Sequence, residues 1–210
     1  MAIKAYNAKQ WEIPLLMDGR KTVTRRIIKT QPHEAMPENH DYCRMPLFTA
    51  NGMRTLHYMD VIEQNPFRQT RYFESFAPYD KQDTLYVQET FFYETHMEDL
   101  TAGEPDLPSG RYSHRYIYKA DSPDYPVNIG VGAGGWSPSI HMPKEAARIW
   151  LKVTDVRVER LKDITEEQAK QEGFSSRKEF IETFLKLYPD CTEESWLWVI
   201  EFNRCDKPEQ

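Results

Sequence analysis

The stretch RIWLKVTDVRVERLKDITEEQAKQEGF, which starts at Arg148, constrains the fold more than any other part of the chain. Its first half, residues 148 to 161, alternates apolar and polar side chains with the two-residue period of a half-buried strand. Val153, Val156 and Val158 are among the apolar positions, and the out-of-step Thr154-Asp155 pair predicts a bulge or bend. A helix follows. Thr165 with Gln168 three residues on has the spacing of a capping box, Glu166 and Glu167 suit the positive helix start, and Gly173 is placed to end it. SSRKEFIETFLKLYP predicts a second helix with Phe180, Phe184 and Leu187 on one stripe. SWLWVIEF, residues 195 to 202, predicts a closing strand, and the tail after it is expected to fray.

Upstream, residues 8 to 18 carry Trp11, Leu15 and Leu16 at helical spacing, with Gly19 as a C-terminal stop and Pro14 tolerable only in a first turn. TVTRRII then turns β-like, with Thr22, Thr24, Arg26 and Ile28 on one face and Val23, Arg25 and Ile27 on the other. Residues 83 to 92 read as one strand. Two poorly patterned excursions, at about 31–78 and 97–135, hold short strands such as RTLHYMDVI, TRYFESF and RYIYKA. The glycine run before Trp136 lacks the lysine-serine pair and helix of a phosphate loop and reads as a turn. Strands outnumber helices without regular βαβ alternation. The expected class is α+β, a small mixed, mostly antiparallel barrel with helices at its rim.

At 210 residues the chain suits a single domain carrying those two insertions. No apolar run approaches a bilayer span and the N-terminus lacks a signal-peptide core, so no membrane partner and a cytoplasmic location are expected. Cys43, Cys191 and Cys205 are odd in number and far apart, which is no disulfide framework. His40 and Cys43 have a ligand-like separation, but no second pair completes a site, so neither a metal nor any other cofactor is expected.

The net charge is -6, yet Arg20, Lys21, Arg25, Arg26 and Lys29 fall together with no acid among them. Such a segment is either a solvated edge strand or a surface that faces an anion or a reaction. Lys21 and Thr24, three apart, can face one pocket. A threonine hydroxyl needs a base to become a nucleophile, and a lysine can be that base where neighbouring cations disfavour its protonated form. Arg20, Arg25 and Arg26 put cations there and would also stabilise an oxyanion. A carboxylate would complete the set. Glu172, at a helix end just before Gly173, is one candidate, and a solvated helix-end glutamate is the plainer reading. In WSPSIHMP, Trp136 offers a face for stacking a base, while Ser139 and His141 offer hydrogen bonds; a buried tryptophan beside a polar loop is equally open.

These segments together resemble the ASCH family, whose fold is similar to the PUA RNA-binding barrel. GRKTVTRR looks like the family's G-x-K-x-x-T-x-R motif, matched by Gly19, Lys21, Thr24 and Arg26. DTLYVQETF and SWLWVIEF look like family strands, though Gln82 precedes Asp83 where a glycine is usual. The stretch from Trp136 to Phe174 is similar to versions found in phage and prophage proteins. A compact bacterial member is an amidohydrolase that removes acetyl from N4-acetylcytidine. Carried over by motif, the resemblance implies Lys21, Thr24 and Glu172 as catalytic residues. Arg25, Arg26, Trp136, Ser139 and His141 are the expected substrate contacts. The partner would be a modified nucleoside or RNA. A non-catalytic RNA-binding module and a metal-independent ribonuclease on the same basic strand are the alternatives.

Overall fold

A computed structural model describes residues 2–29, 31, 48–50, 53–61, 70–97, 112–124 and 135–208. The principal sheet has five strands: β1 (Ile3–Asn7), β2 (Val23–Ile27), β6 (Thr84–Gln88), β9 (Trp150–Arg160) and β10 (Trp196–Cys205). Their order is β1-β6-β9-β10-β2, and only the β1-β6 pair is parallel. Strands β3 (Phe48–Ala50), β4 (Met53–Val61) and β5 (Thr70–Phe76) form a second, antiparallel sheet, and β7 (Phe91–Met97) pairs with β8 (Tyr112–Tyr118). The helices are α1 (Glu12–Met17), α2 (Glu166–Gln171) and α3 (Arg177–Leu187). The class is therefore α+β and mostly strand, and no helix among the described residues is long and apolar enough to cross a membrane.

The strand expected over 148–161 is the hub of this sheet. Glu201 pairs with Asp155 and Phe202 with Val153, so Thr154 is the extra residue of a bulge at the position its out-of-step pattern predicts. The bulge changes the phase of β9. Leu151 and Val153 before it and Val156 after it all reach the same core, with Tyr6, Leu85, Val87, Trp198, Ile200 and Phe202. On the opposite face, α2 and α3 cover Leu197 and Ile27 through Ala169, Phe180, Ile181 and Phe184. The capping box of Thr165 and Gln168 is formed. Leu187 departs from the expected stripe: it is exposed, and Ile181 takes its place in the core.

Two further readings change, and one strand is new. Residues 83 to 92 are two strands, because the chain leaves the main sheet after Gln88 and Phe91 starts a separate pair. The tail does not fray directly after Phe202, since Asn203, Arg204 and Cys205 pair with Lys152, Leu151 and Trp150. Residues 3 to 7, for which no element was expected, form β1, paired in parallel with β6 along its whole length.

The expected barrel is not closed by hydrogen bonds: β1 and β2 stand at opposite ends of the five-stranded order. The sheet curls nonetheless until its two ends face each other. The Arg26 guanidinium of β2 lies 5.4 Å from the ring centroid of Tyr6 on β1, and Tyr6 meets Phe202 of β10 edge-on at 5.9 Å. Phe202→Ala removes this inner wall, and a loss of about 3–5 kcal/mol is expected in urea-induced unfolding.

Candidate functional site

The site forms where α1, the start of β2 and the end of α2 meet. Helix α1 ends at Met17, and Gly19 takes φ +77°, the left-handed conformation that lets the chain turn back. The Lys21 amide then donates to the Leu15 carbonyl at 3.0 Å, and Thr22 donates to Gln171 of α2 at 3.0 Å. These backbone bonds set Lys21 beside the end of α2. That helix stops in a Schellman turn: Phe174 donates to Ala169, Gly173 donates to Lys170, and Gly173 adopts φ +98°. Glu172 is the last residue before the turn and points inward, 3% exposed.

Lys21, itself 2% exposed, donates to Glu172 Oε2 at 2.6 Å and to the Glu172 carbonyl at 2.9 Å. Arg25 Nη1 approaches the other carboxylate oxygen at 3.2 Å, while its Nη2 reaches Glu159 at 3.2 Å and its guanidinium lies over Phe180. Arg25 Nε is buried with no hydrogen-bond partner, an orphaned donor in a crowded cationic site. Glu12 of α1 stands on the far side of the amine, its Oε1 3.5 Å from Lys21 Nζ. Glu12 Oε1 also accepts from the Tyr6 hydroxyl at 3.3 Å, and its Oε2 accepts from the Lys9 amide at 2.7 Å.

Strand alternation sends Thr24 and Arg26 the other way from Arg25. Thr24 is buried, and its side chain lies beside the Tyr6 phenol and helps to moderate the shift of that phenol. Burial, then the Glu12 carboxylate, push that phenol well above its ordinary pKa against the pull of Arg26, so it stays protonated and able to donate. A continuous polar path runs Tyr6–Glu12–Lys21–Glu172, with Thr24 beside its Tyr6 end. Burial opposes the charge of Arg26, but the oxygens of Tyr6 and Tyr79 and the Glu12 carboxylate outweigh it and hold the guanidinium above its ordinary value.

Lys21, Thr24, Arg25, Arg26 and Glu172 line one pocket. Its enclosed volume is about 60 Å³, room for a few waters or the reacting end of a substrate, and the pocket opens to solvent beyond that. Trp11, Phe174 and Tyr188 are among its aromatic walls. The expected surrounding cations are arranged differently. Arg20 turns outward to Asp18, and Arg25 is neutralised by two carboxylates, so Lys21 faces acids rather than arginines. Ser139 touches the rim, donating to Asn7, a pocket residue at the end of β1. Trp136 and His141 do not line the pocket. Trp136 is half-buried with Lys119 over its ring, and His141 is exposed in a 3-10 turn. Glu12, Tyr6 and Lys9 were not expected. An acid in a helix first turn reads as a dipole partner, and nothing local marks it as buried.

Among the described residues, no group of three or more histidine, cysteine, aspartate or glutamate side chains is arranged to hold a metal ion. His40 and Cys43 lie outside the described residues. Compared with protein-family models, curated proteins and solved structures, the chain matches none.

Two substitutions test the positioning. Glu172→Gln strips the shared carboxylate from two buried cations, and a loss of about 3–5 kcal/mol is expected in chemical denaturation. Gly173→Ala forces a side chain into φ +98° and places its Cβ 2.4 Å from Leu15 Cδ1. The leucine tip can move but the backbone cannot, so about 1–2 kcal/mol of stability is expected to be lost in the same measurement.

Proposed function

We propose that this chain is a PUA-like ASCH-family amidohydrolase that deacylates an N4-acetylcytidine-like nucleoside, with chemistry carried by Lys21, Thr24 and Glu172. One observation carries the reading: an amine and a carboxylate 151 residues apart in sequence share a buried 2.6 Å hydrogen bond in the pocket that also contains Thr24. The curl that brings β1 and β2 face to face fits a PUA-like barrel left open between those two edges. The free thiols of Cys191 and Cys205 fit a reducing cytoplasm. The phage-type likeness of the region from Trp136 to Phe174 rests on sequence alone.

In the proposed reaction Thr24 Oγ1 attacks the acetyl carbonyl and forms the new C–O bond. Its proton passes to Lys21 as Lys21 passes one to Glu172. The tetrahedral intermediate collapses, the C–N bond breaks, and the departing N4 amine takes a proton back from this pair. Water then attacks the acetyl-threonine ester, releasing acetate and restoring the hydroxyl. Arg26, charged and beside Thr24 on the same strand face, is placed to hold an anionic group of the substrate. The Tyr6 phenol, beside Thr24 and donating to Glu12, would offer a second proton route from Thr24 to Glu12.

The test is release of acetate from N4-acetylcytidine by the purified chain. Thr24→Ala is expected to lose on the order of 10³-fold or more in kcat, and Lys21→Ala about 10²–10⁴-fold, with circular dichroism unchanged. Tyr6→Phe separates the routes, since only the phenol path needs the hydroxyl. If the wild-type chain leaves N4-acetylcytidine intact but binds RNA with a steep salt dependence that Thr24→Ala does not alter, the binding module replaces the enzyme.

A further inference from the structure

The acids of the pocket do not use up its cations. Lys9, Lys21, Arg25 and Arg26 line it, against Glu12 and Glu172. Lys21 and Arg25 are spent on Glu12, Glu172 and Glu159. Arg26 and Lys9 are left. Among the described residues Arg26 makes no salt bridge and no hydrogen bond to protein; the face of Tyr6 orients it and leaves its N–H fork free. Lys9 reaches the same pocket, and its side chain has no carboxylate within ion-pair distance among the described residues. Burial, with the positive fields of Arg26 and Lys21, pushes its ammonium below the ordinary lysine value, while Glu12 opposes them. Burial is the main cause of that shift; what marks the site is that Arg26 and Lys9 line one pocket with no carboxylate within ion-pair distance of either among the described residues.

We infer that Arg26 and Lys9 form an anion subsite that takes a phosphate on the substrate, so that the preferred substrate is a nucleotide rather than a neutral nucleoside. A guanidinium fork matches two phosphate oxygens, and a lysine adds a point charge. The aromatic walls of Trp11, Phe174 and Tyr188 supply flat faces for a base in the same pocket. A free nucleotide fits better than an RNA strand. The chain as a whole carries -6 and repels a polyanion, while two local cations suit a single phosphate group. The nucleoside part of this inference rests on the proposed function; the anion subsite does not.

Calorimetric titration of the full chain with cytidine, cytidine 5′-monophosphate and a short cytidine oligonucleotide tests it. None of these ligands carries an acetyl group, so the result is independent of hydrolysis. The monophosphate is expected to bind about tenfold or more tighter than cytidine, with the advantage shrinking as salt rises. Inorganic phosphate is expected to compete with it. Arg26→Gln should bring the two ligands to within about threefold, Lys9→Gln should reduce the preference, and Arg26→Lys should retain part of it. Equal affinities, no binding of either ligand, or an undiminished preference in both Arg26→Gln and Lys9→Gln would overturn the inference. If Arg26→Gln does not fold, Arg26→Lys and Lys9→Gln decide. An oligonucleotide that outcompetes the monophosphate assigns the phosphate to a strand and overturns the free-nucleotide reading. A chain that prefers the monophosphate but leaves N4-acetylcytidine intact keeps the subsite and loses the amidohydrolase. One that deacetylates without the preference does the reverse.

Discussion

The Glu172 carboxylate, buried between an ammonium and a guanidinium, is the constraint on which the other parts of this structure depend. Removing a carboxylate from water costs several kcal/mol even after relaxation, and an ion pair offsets this only when its geometry is good and its remaining lone pairs are met. Here both oxygens and the residue's own carbonyl are engaged. That demands that α1, β2 and α2 be docked together, because each supplies one member. Lys21 follows α1, Arg25 lies on β2, and Glu172 closes α2. Backbone bonds from Lys21 to Leu15 and from Thr22 to Gln171 hold the three segments in register. The cluster is therefore rigid before any ligand arrives, which is what a site needs if it is not to spend binding energy on its own assembly.

The same cluster explains how an open sheet can present an interior site. With β1 and β2 at its two ends, the sheet has edges that no main-chain ladder joins. Side chains join them instead. Tyr6 on β1 receives Arg26 over its ring and has Thr24 beside its phenol, both from β2, and it donates to Glu12 from the helix between them. Backbone pairing along that seam would have filled the space now available to a ligand. Polar side chains close the structure while leaving a pocket with hydroxyl, phenol, amine and carboxylate along its floor.

The sequence exposed the parts of this arrangement that are local. The β9 bulge was legible because Thr154 breaks a two-residue period, and the α2 cap because the side chains of Thr165 and Gln168 bond each other's backbone within one turn. The turn at Gly19 and the stop at Gly173 were legible because both positions need positive φ. What failed depended on distant partners. Strand β1 exists because β6 offers it a parallel edge. Leu187 has the helical spacing of a core residue, yet α3 meets the sheet one step round, through Ile181. Glu12 lines the pocket, and Tyr6 supports it from behind, only because the sheet curls. Trp136 and His141 carry attractive chemistry but lie on a segment that, through Ser139, only brushes the rim.

The spacing of GRKTVTRR becomes a set of geometric instructions once the partners are known. Gly19 turns the chain out of α1, which places Lys21 in the gap before β2 begins. From there a two-residue period takes over. Thr24 and Arg26 face Tyr6 inside the curl, and Arg25, between them, faces Phe180 and the acids of the helical layer. One arginine thus stabilises the junction, and the next remains free in the pocket. Moving the lysine by one residue would take its amine out of the gap, and a one-residue slip of the strand would exchange the roles of the arginines and bury the unpaired one. The run that looked like a solvated basic edge is mostly an inward structure. Its surplus charge is tolerable in a chain of net charge -6 because the surrounding acids compensate it at long range, while the pocket keeps the uncompensated remainder.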